Sequence, residues 1–242
     1  MLLTQFGFDY DSIKEGYYDL VYQRRRGIQS KWHHLRLARI RREMGDYHDH
    51  LDVGCGPGTL IGTLPQDKRS VGADIASSQI RYANEEYGTK YHQFQVMEPS
   101  KPLPFKDNSF DVATILEVVE HLTNENNVFI LKEINRVLRP GGYLLLTTPN
   151  RWLLCRFVEW LRDRIADVSY EEQHITYYKR EGLEALFKDT GFVNSSISTY
   201  QFLAPFLSFI NWDLSDAVEK IEPKFLTPCY GILFLAKAYK KQ

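Results

Sequence analysis

Cysteine is scarce in this 242-residue chain: Cys55, Cys155 and Cys229 are odd in number, far apart and without CxxC spacing. That excludes a disulfide framework and argues against a structural zinc site. Long apolar runs are also missing, so no bilayer-spanning helix is expected. The opening stretch MLLTQFGFDYDSIKEGYYDL has early acidic residues and no apolar core of the kind a secretory leader needs. Charge of one sign is not in excess, because 30 Lys and Arg face 31 Asp and Glu for a formal net charge of -1. Bulk electrostatics therefore offer no pull toward nucleic acid, and none is expected as a partner. Internal repeats, low-complexity tracts and Pro/Gly linkers that would split the chain are absent as well. A soluble, cytoplasmic, enzyme-sized unit in a reducing compartment is the reading these absences leave. The 43% hydrophobic and 25% charged residues suit one large domain with a sizeable core.

From about residue 48 to residue 200 apolar strand-like runs alternate with helix-like stretches, the signature of a parallel sheet flanked by helices. Strands are expected near 50–54, 70–74, 91–96, 110–117, 142–149 and 192–198, and a last one over 231–240 as an antiparallel partner for the sixth. In NNVFILKEINRVLR, Val128, Ile130, Leu131, Ile134, Val137 and Leu138 recur at helical spacing, and PGG stops the helix. Residues 10–44 read as helical, with arginines threaded between aromatic and apolar side chains. Residues 200–228 carry a dense aromatic set. The chain therefore divides into an N-terminal helical cover (1–45), a ligand-binding core (46–149) and two inserts (150–175 and 200–228).

LDVGCGPGTL, residues 51–60, sets a glycine-rich turn behind the first strand, where backbone can approach a ligand at the carboxyl edge of a wound sheet. No Gly-Lys-Ser/Thr ends the turn, which excludes a Walker loop. The glycines fall at 54, 56 and 58 and not as GxGxxG, which puts the third out of place for a pyrophosphate. Asp52 at the base of the turn would repel phosphate but suits a ligand bearing an ammonium and a sulfonium. Asp74 closes the second strand, where a carboxylate can bind both ribose hydroxyls. Glu98, just past the third strand, is set to accept from an adenine amino group.

Four segments in order, DVGCGPG, VGADIA, EPSKPLPFKDNSFDVATILEVVEHL and LKEINRVLRPGGYLLLTTPN, resemble the motifs of the class I S-adenosylmethionine-dependent methyltransferases over about residues 48–192. The resemblance implies an α/β fold with a doubly wound, seven-stranded, mostly parallel Rossmann-like sheet, capped by hydrophobic helices from the inserts. It implies S-adenosyl-L-methionine as cofactor. Asp52, Gly54, Cys55, Gly56 and Gly58 would line its methionine half, Asp74 and Ile75 the ribose and adenine, and Met97 and Glu98 the adenine edge, with Leu116 touching it by backbone. Glutamate stands at 98 where the family more often has aspartate.

The methyl group needs an acceptor, and a histidine is the side chain suited to take an acceptor's proton near neutral pH. Glu117, Glu120 and His121 stand at i, i+3 and i+4, which would put them on one helical face as a polar acceptor wall. The same spacing suits a helix cap with solvated carboxylates. A similar Glu-x-x-Glu-His cluster in ubiquinone-pathway O-methyltransferases is associated with a divalent metal; the acceptor-wall reading is carried here and no metal is assigned. EEQHITYY resembles a stretch whose histidine often points into the acceptor cavity in small-molecule members of the family, which makes His174 the first candidate base, ahead of His121. The same histidine suits a cap on the next helix, and Tyr177 lines the pocket or simply packs. The insert NRWLLCRFVEWLRDRIADV, with Trp152 facing the acceptor, suits a lid over an apolar molecule or a peripheral membrane contact. A small apolar or aromatic acceptor, or a lipid- or sugar-linked one, methylated on oxygen or nitrogen, is the expected substrate. RNA or protein methylation and a non-catalytic cofactor-binding protein are the alternatives.

Overall fold

The computed structural model describes residues 10–150, 174–225 and 231–242. A 3-10 turn at Tyr10–Ser12 leads into α1 (Tyr17–Gln23) and α2 (Gly27–Met44), which meet at a corner where Arg25 has a φ of 49°. α2 contains no proline and few β-branched residues, and it stops where Gly45 turns to a positive φ. Then come β1 (Asp49–Val53), α3 (Thr59–Gly62), β2 (Arg69–Asp74), α4 (Ser77–Tyr87), β3 (His92–Val96) and β4 (Phe110–Leu116). A 3-10 turn at Val119–His121 precedes α5 (Asn124–Val137) and β5 (Leu138–Pro149). Past the insert lie α6 (Arg180–Asp189), β6 (Phe192–Tyr200), α7 (Ala204–Leu207), α8 (Trp212–Phe225) and β7 (Leu233–Lys240).

The seven strands form one sheet in the order β3-β2-β1-β4-β5-β7-β6. All pair in parallel except β7, which runs antiparallel between β5 and β6. The chain winds outward from β1 to β3 and then returns to place β4 against the other side of β1. Strand order thus reverses between β1 and β4, and their carboxyl ends open a crevice there.

Period-two alternation divides the core into two layers. Leu51, Val53, Ala113, Ile115, Leu144 and Leu146 pack on one face with the buried side chains of α5 and α6. Val112 and Leu145 face the other way, into a cluster with Leu37, Ile40, Ile61 and Ile80. α5 is capped by Thr123, whose hydroxyl accepts from Asn126 N at 3.3 Å, and it buries Ile130, Leu131, Ile134 and Val137. It ends two residues earlier than the apolar periodicity suggests, because Leu138 already pairs with Phe110. The Pro140–Gly142 stretch bulges within β5, between the Phe110–Leu138 and Val112–Tyr143 pairs. A Cβ at Gly142 would meet the Arg139 and Asp111 carbonyl oxygens at 2.9 Å.

Candidate functional site

The carboxyl ends of β1, β2 and β4 surround a cavity of about 400 Å³, a volume suited to a small ligand. The glycine turn forms its floor. Gly54 (φ 74°), Gly56 (φ 51°) and Gly58 (φ 77°) all lie in the left-handed region that other residues avoid. A Cβ on Gly54 would stand 2.4 Å from Val118 Cγ2, whereas around Gly56 there is open space. Gly58 caps α3 against Phe94, behind the residues that line the cavity. The turn has already bent into the helix there.

Two buried carboxylates flank the turn. Asp74 accepts from Gly56 N through Oδ2 and from Ala76 N through Oδ1, both at 2.8 Å. Burial raises its pKa while those backbone N–H groups hold it down. Asp52 shares its sheet face with His50 and Thr114, as strand alternation requires. The Thr114 hydroxyl donates to Asp52 Oδ1 at 2.6 Å, and buried His50 donates through Nε2 to that hydroxyl at 2.8 Å. Burial pushes the Asp52 carboxyl up to about 7, and the nearby Asp74 charge adds to the shift. Cys55, Ile75, Met97 and Leu116 also line the cavity, and Glu98 stands at its rim, exposed and paired with Lys101.

The opposite wall carries Glu117, Glu120, His121 and His174. They do not share a helical face. Glu117 follows β4 with a φ of 56°, and the next residues form only a single 3-10 turn. Ile175 N and Thr176 N donate to the Glu120 carbonyl at 2.9 and 3.0 Å, and these bonds bring His174 beside His121, ring centroids 4.9 Å apart. Glu120 is 1% exposed, not solvated. Its Oε2 accepts from Thr148 at 3.0 Å, while Oε1 has no hydrogen-bond partner. Burial and the Glu117 charge raise its pKa well above the usual carboxylate range. Donor atoms of Glu120, His121 and His174 all lie within 4.8 Å of one another, so these three residues could also hold a divalent cation. Tyr177 touches the His174 ring at 6.1 Å from outside the cavity wall, and Trp152 lies outside the described residues.

Further wall residues come from the segment read only as a cover. Gln29, Trp32, His33 and Arg36 follow i, i+3, i+4 and i+7 spacing along α2, and that spacing was the signal that could have found them. Arg36 donates to His33 Nδ1 at 3.2 Å and leaves its buried Nε without a hydrogen-bond partner. Its arginine reaches the cavity instead of solvent. Tyr10 closes the same side, its ring edge-on to His121 at 5.9 Å.

A family profile described as "Methyltransferase domain" matches residues 51–146. The chain is 33% identical over 121 residues to O-methyltransferase cnsE of Penicillium expansum, covering 45% of this chain and 43% of that one. It is 31% identical over 107 residues to a ubiquinone biosynthesis O-methyltransferase of Pseudomonas paraeruginosa, covering 42% and 44%. Residues 51–146 are therefore similar to a methyltransferase domain, and the O-methyltransferase relatives align over a comparable share of the chain. The matched stretch spans less than half the length of either of these relatives. The fold matches more widely. A methyltransferase structure from Thermotoga maritima, described as a possible histamine N-methyltransferase, covers 93% of this chain and 95% of its own, with a TM-score of 0.64 at 16% identity. A phosphoethanolamine N-methyltransferase of Haemonchus contortus with the same fold, 18% identical and with a TM-score of 0.57 over 86% of this chain and 52% of its own, is solved with S-adenosyl-L-methionine. The cavity suits it in its donor set, with acids for ribose and ammonium, bare backbone at Gly56 and an arginine nitrogen lacking a partner.

Proposed function

We propose that the chain transfers the methyl group of S-adenosylmethionine to an oxygen or nitrogen of a small, apolar or aromatic acceptor. The observation that carries this reading is one cavity in which the glycine turn, Asp52 and Asp74 face Glu120, His121 and His174. When bound, the cofactor supplies an electrophilic methyl on a sulfonium. Asp74 would hold the ribose hydroxyls, Asp52 the ammonium, and Arg36 the carboxylate. Ile75 and Met97 would line the adenine, and Glu98 would accept from its edge. His174 takes the acceptor's proton, His121 orients it, and the vacant Glu120 Oε1 accepts from a second polar group of the acceptor. Ile28, Trp32 and Phe206 supply the apolar wall. The O-methyltransferases among the relatives favour oxygen.

Calorimetry on the purified protein should detect binding of S-adenosylmethionine and its demethylated product, and a panel of phenols, catechols and amines should yield a methylated product. Binding without turnover on any acceptor would favour a non-catalytic role. Absence of binding would sink the reading altogether.

Asp52 makes the binding pH-dependent. Its folded pKa of about 7 lies above the usual aspartate value, so without a ligand it holds a proton through mildly acidic pH. Its contribution to folding stability is full below the unfolded pKa and is lost as pH rises through about 7. A cationic ligand selects the ionised form and releases that proton. Cofactor affinity should therefore climb by up to about tenfold per pH unit below 7 and level off above it. Asp52→Asn should bind more weakly and lose the slope; an identical slope in the variant would show that another group titrates.

A further inference from the structure

The corner between α7 and α8 exposes large apolar side chains that nothing in the cavity uses. Phe209 is 84% exposed and Ile210 75%, with Leu203 and Leu214 also outside the core at 44% and 43%. Single exposed apolar residues are ordinary, but adjacent ones at a protruding tip mark a contact surface. The tip is braced. Phe209 N and Ile210 N donate to the Phe206 and Leu207 carbonyls at 3.2 and 3.0 Å, and Asn211 Oδ1 caps α8 by accepting from Leu214 N at 2.9 Å. Behind it the buried Glu222 carboxylate accepts from Leu203 N and Ala204 N at 2.5 and 2.7 Å. The backbone that carries Phe209 and Ile210 is thus braced by hydrogen bonds.

The α1–α2 pair, whose α2 packs on α7, carries positive charge at its own corner. Arg24, Arg25 and Arg26 form the exposed corner between α1 and α2, and none has an ion-pair partner among the described residues. A continuous set of ring contacts ties the two corners together. Tyr22 stacks on His34 at 3.9 Å, and His34 meets Trp212 edge-on at 5.5 Å. Lys31 locks the same joint, 4.3 Å over the Trp212 ring and 2.7 Å from Asp216. Tyr22 is two residues from Arg24, and Trp212 two residues from Ile210. Asp213 is the exposed acid closest in sequence to the tip, set against three arginines; Asp216 is already neutralised by Lys31.

We propose that this corner docks the chain on an anionic lipid bilayer, with Phe209 and Ile210 entering the interfacial layer and Arg24, Arg25 and Arg26 meeting lipid phosphates. A few apolar side chains on a convex tip offer far less than the roughly 800 Å² per partner of a stable protein interface. Shallow insertion beside arginines is instead what an interfacial anchor requires. No helix among the described residues is long and apolar enough to cross a membrane, so the contact is with the surface. Because Ile28 and Trp32 of α2 and Phe206 of α7 line the cavity, docking would bring that cavity against the lipid.

Sedimentation of the whole protein with phosphatidylcholine vesicles, with and without phosphatidylglycerol, tests the proposal without reference to methyl transfer. The wild type should pellet with the anionic vesicles and release as salt rises. Phe209→Ser with Ile210→Ser should lower the bound fraction at equal lipid by at least about tenfold, with an unchanged melting temperature because both side chains are solvated. Arg24→Gln, Arg25→Gln and Arg26→Gln together should abolish the preference for anionic lipid. Wild type that stays in the supernatant with both vesicles overturns the proposal. So does a Phe209/Ile210 variant that pellets like the wild type, or a wild-type dimer that the same variant dissolves in the absence of vesicle binding.

Discussion

Asp74→Ala is expected to weaken binding of the demethylated cofactor by at least about 100-fold, the loss of two hydrogen bonds from a charged acceptor at roughly 1.5–3 kcal/mol each. The expectation follows from the place of the carboxylate. Both oxygens already accept one backbone N–H, from Gly56 and from Ala76, and so fasten the glycine turn of β1 to the end of β2. Burial still raises the pKa of the group, so these two bonds do not replace the water it has lost. Two ribose hydroxyls would supply the missing donors through the remaining lone pairs. Alanine removes that acceptor and also frees Gly56 N, whose position shapes the floor of the cavity. Asp74→Asn keeps one acceptor oxygen but turns an NH2 toward a backbone N–H, so it should fall nearly as far. Asp74→Glu keeps the charge and shifts it by one methylene, and should retain part of the affinity. Calorimetry with thermal melts separates binding from folding. An alanine variant that binds like the wild type would remove Asp74 from the site.

The strands and the ligand turn were legible because their signals are local. Apolar runs of the right length end at Asp74 and Leu116, and Gly54 and Gly56 both adopt the positive φ that glycine favours. The order of the sheet beyond β5 depends on non-local pairing. The antiparallel partnership of β7 with β6 is expected because residues 200–228 read as an aromatic stretch and not as a clean crossover helix, whereas that stretch carries α7 and α8. The end of α5 was misplaced for a related reason. Leu138 satisfies a helical apolar period and a strand pairing equally well, and Phe110 on β4 decides between them. Glu117 illustrates a different limit. Its spacing to Glu120 and His121 fits a helix, but the positive φ at the strand end breaks that geometry, and the wall is assembled by backbone bonds from residues 175 and 176 to Glu120. Arg36 was hidden by its type. A basic residue on an amphipathic helix reads as solvated, although its spacing from Gln29, Trp32 and His33 already put it on their face.

His174→Ala is expected to lower turnover on a hydroxyl acceptor by about 100- to 10,000-fold while leaving cofactor affinity unchanged. Its imidazole is the wall group held by its backbone neighbours: Ile175 N and Thr176 N both bind the Glu120 carbonyl, so the ring stands at a fixed point opposite the glycine turn. His121, from the 3-10 turn, lies within contact of it and also packs against Tyr10. His121→Ala should therefore cost less, since it removes support from the ring without removing the ring. Base and ligand roles separate cleanly. A base is dispensable for an acceptor that attacks as a neutral amine, so the His174→Ala loss should shrink with such an acceptor and persist with a phenol. A metal ligand would instead make the wild type lose turnover when divalent cations are stripped and regain it when they are restored. If wild-type turnover survives stripping while His174→Ala fails only on hydroxyl acceptors, proton removal is the role of this histidine. Equal loss of both acceptors on stripping would assign Glu120, His121 and His174 to a cation instead.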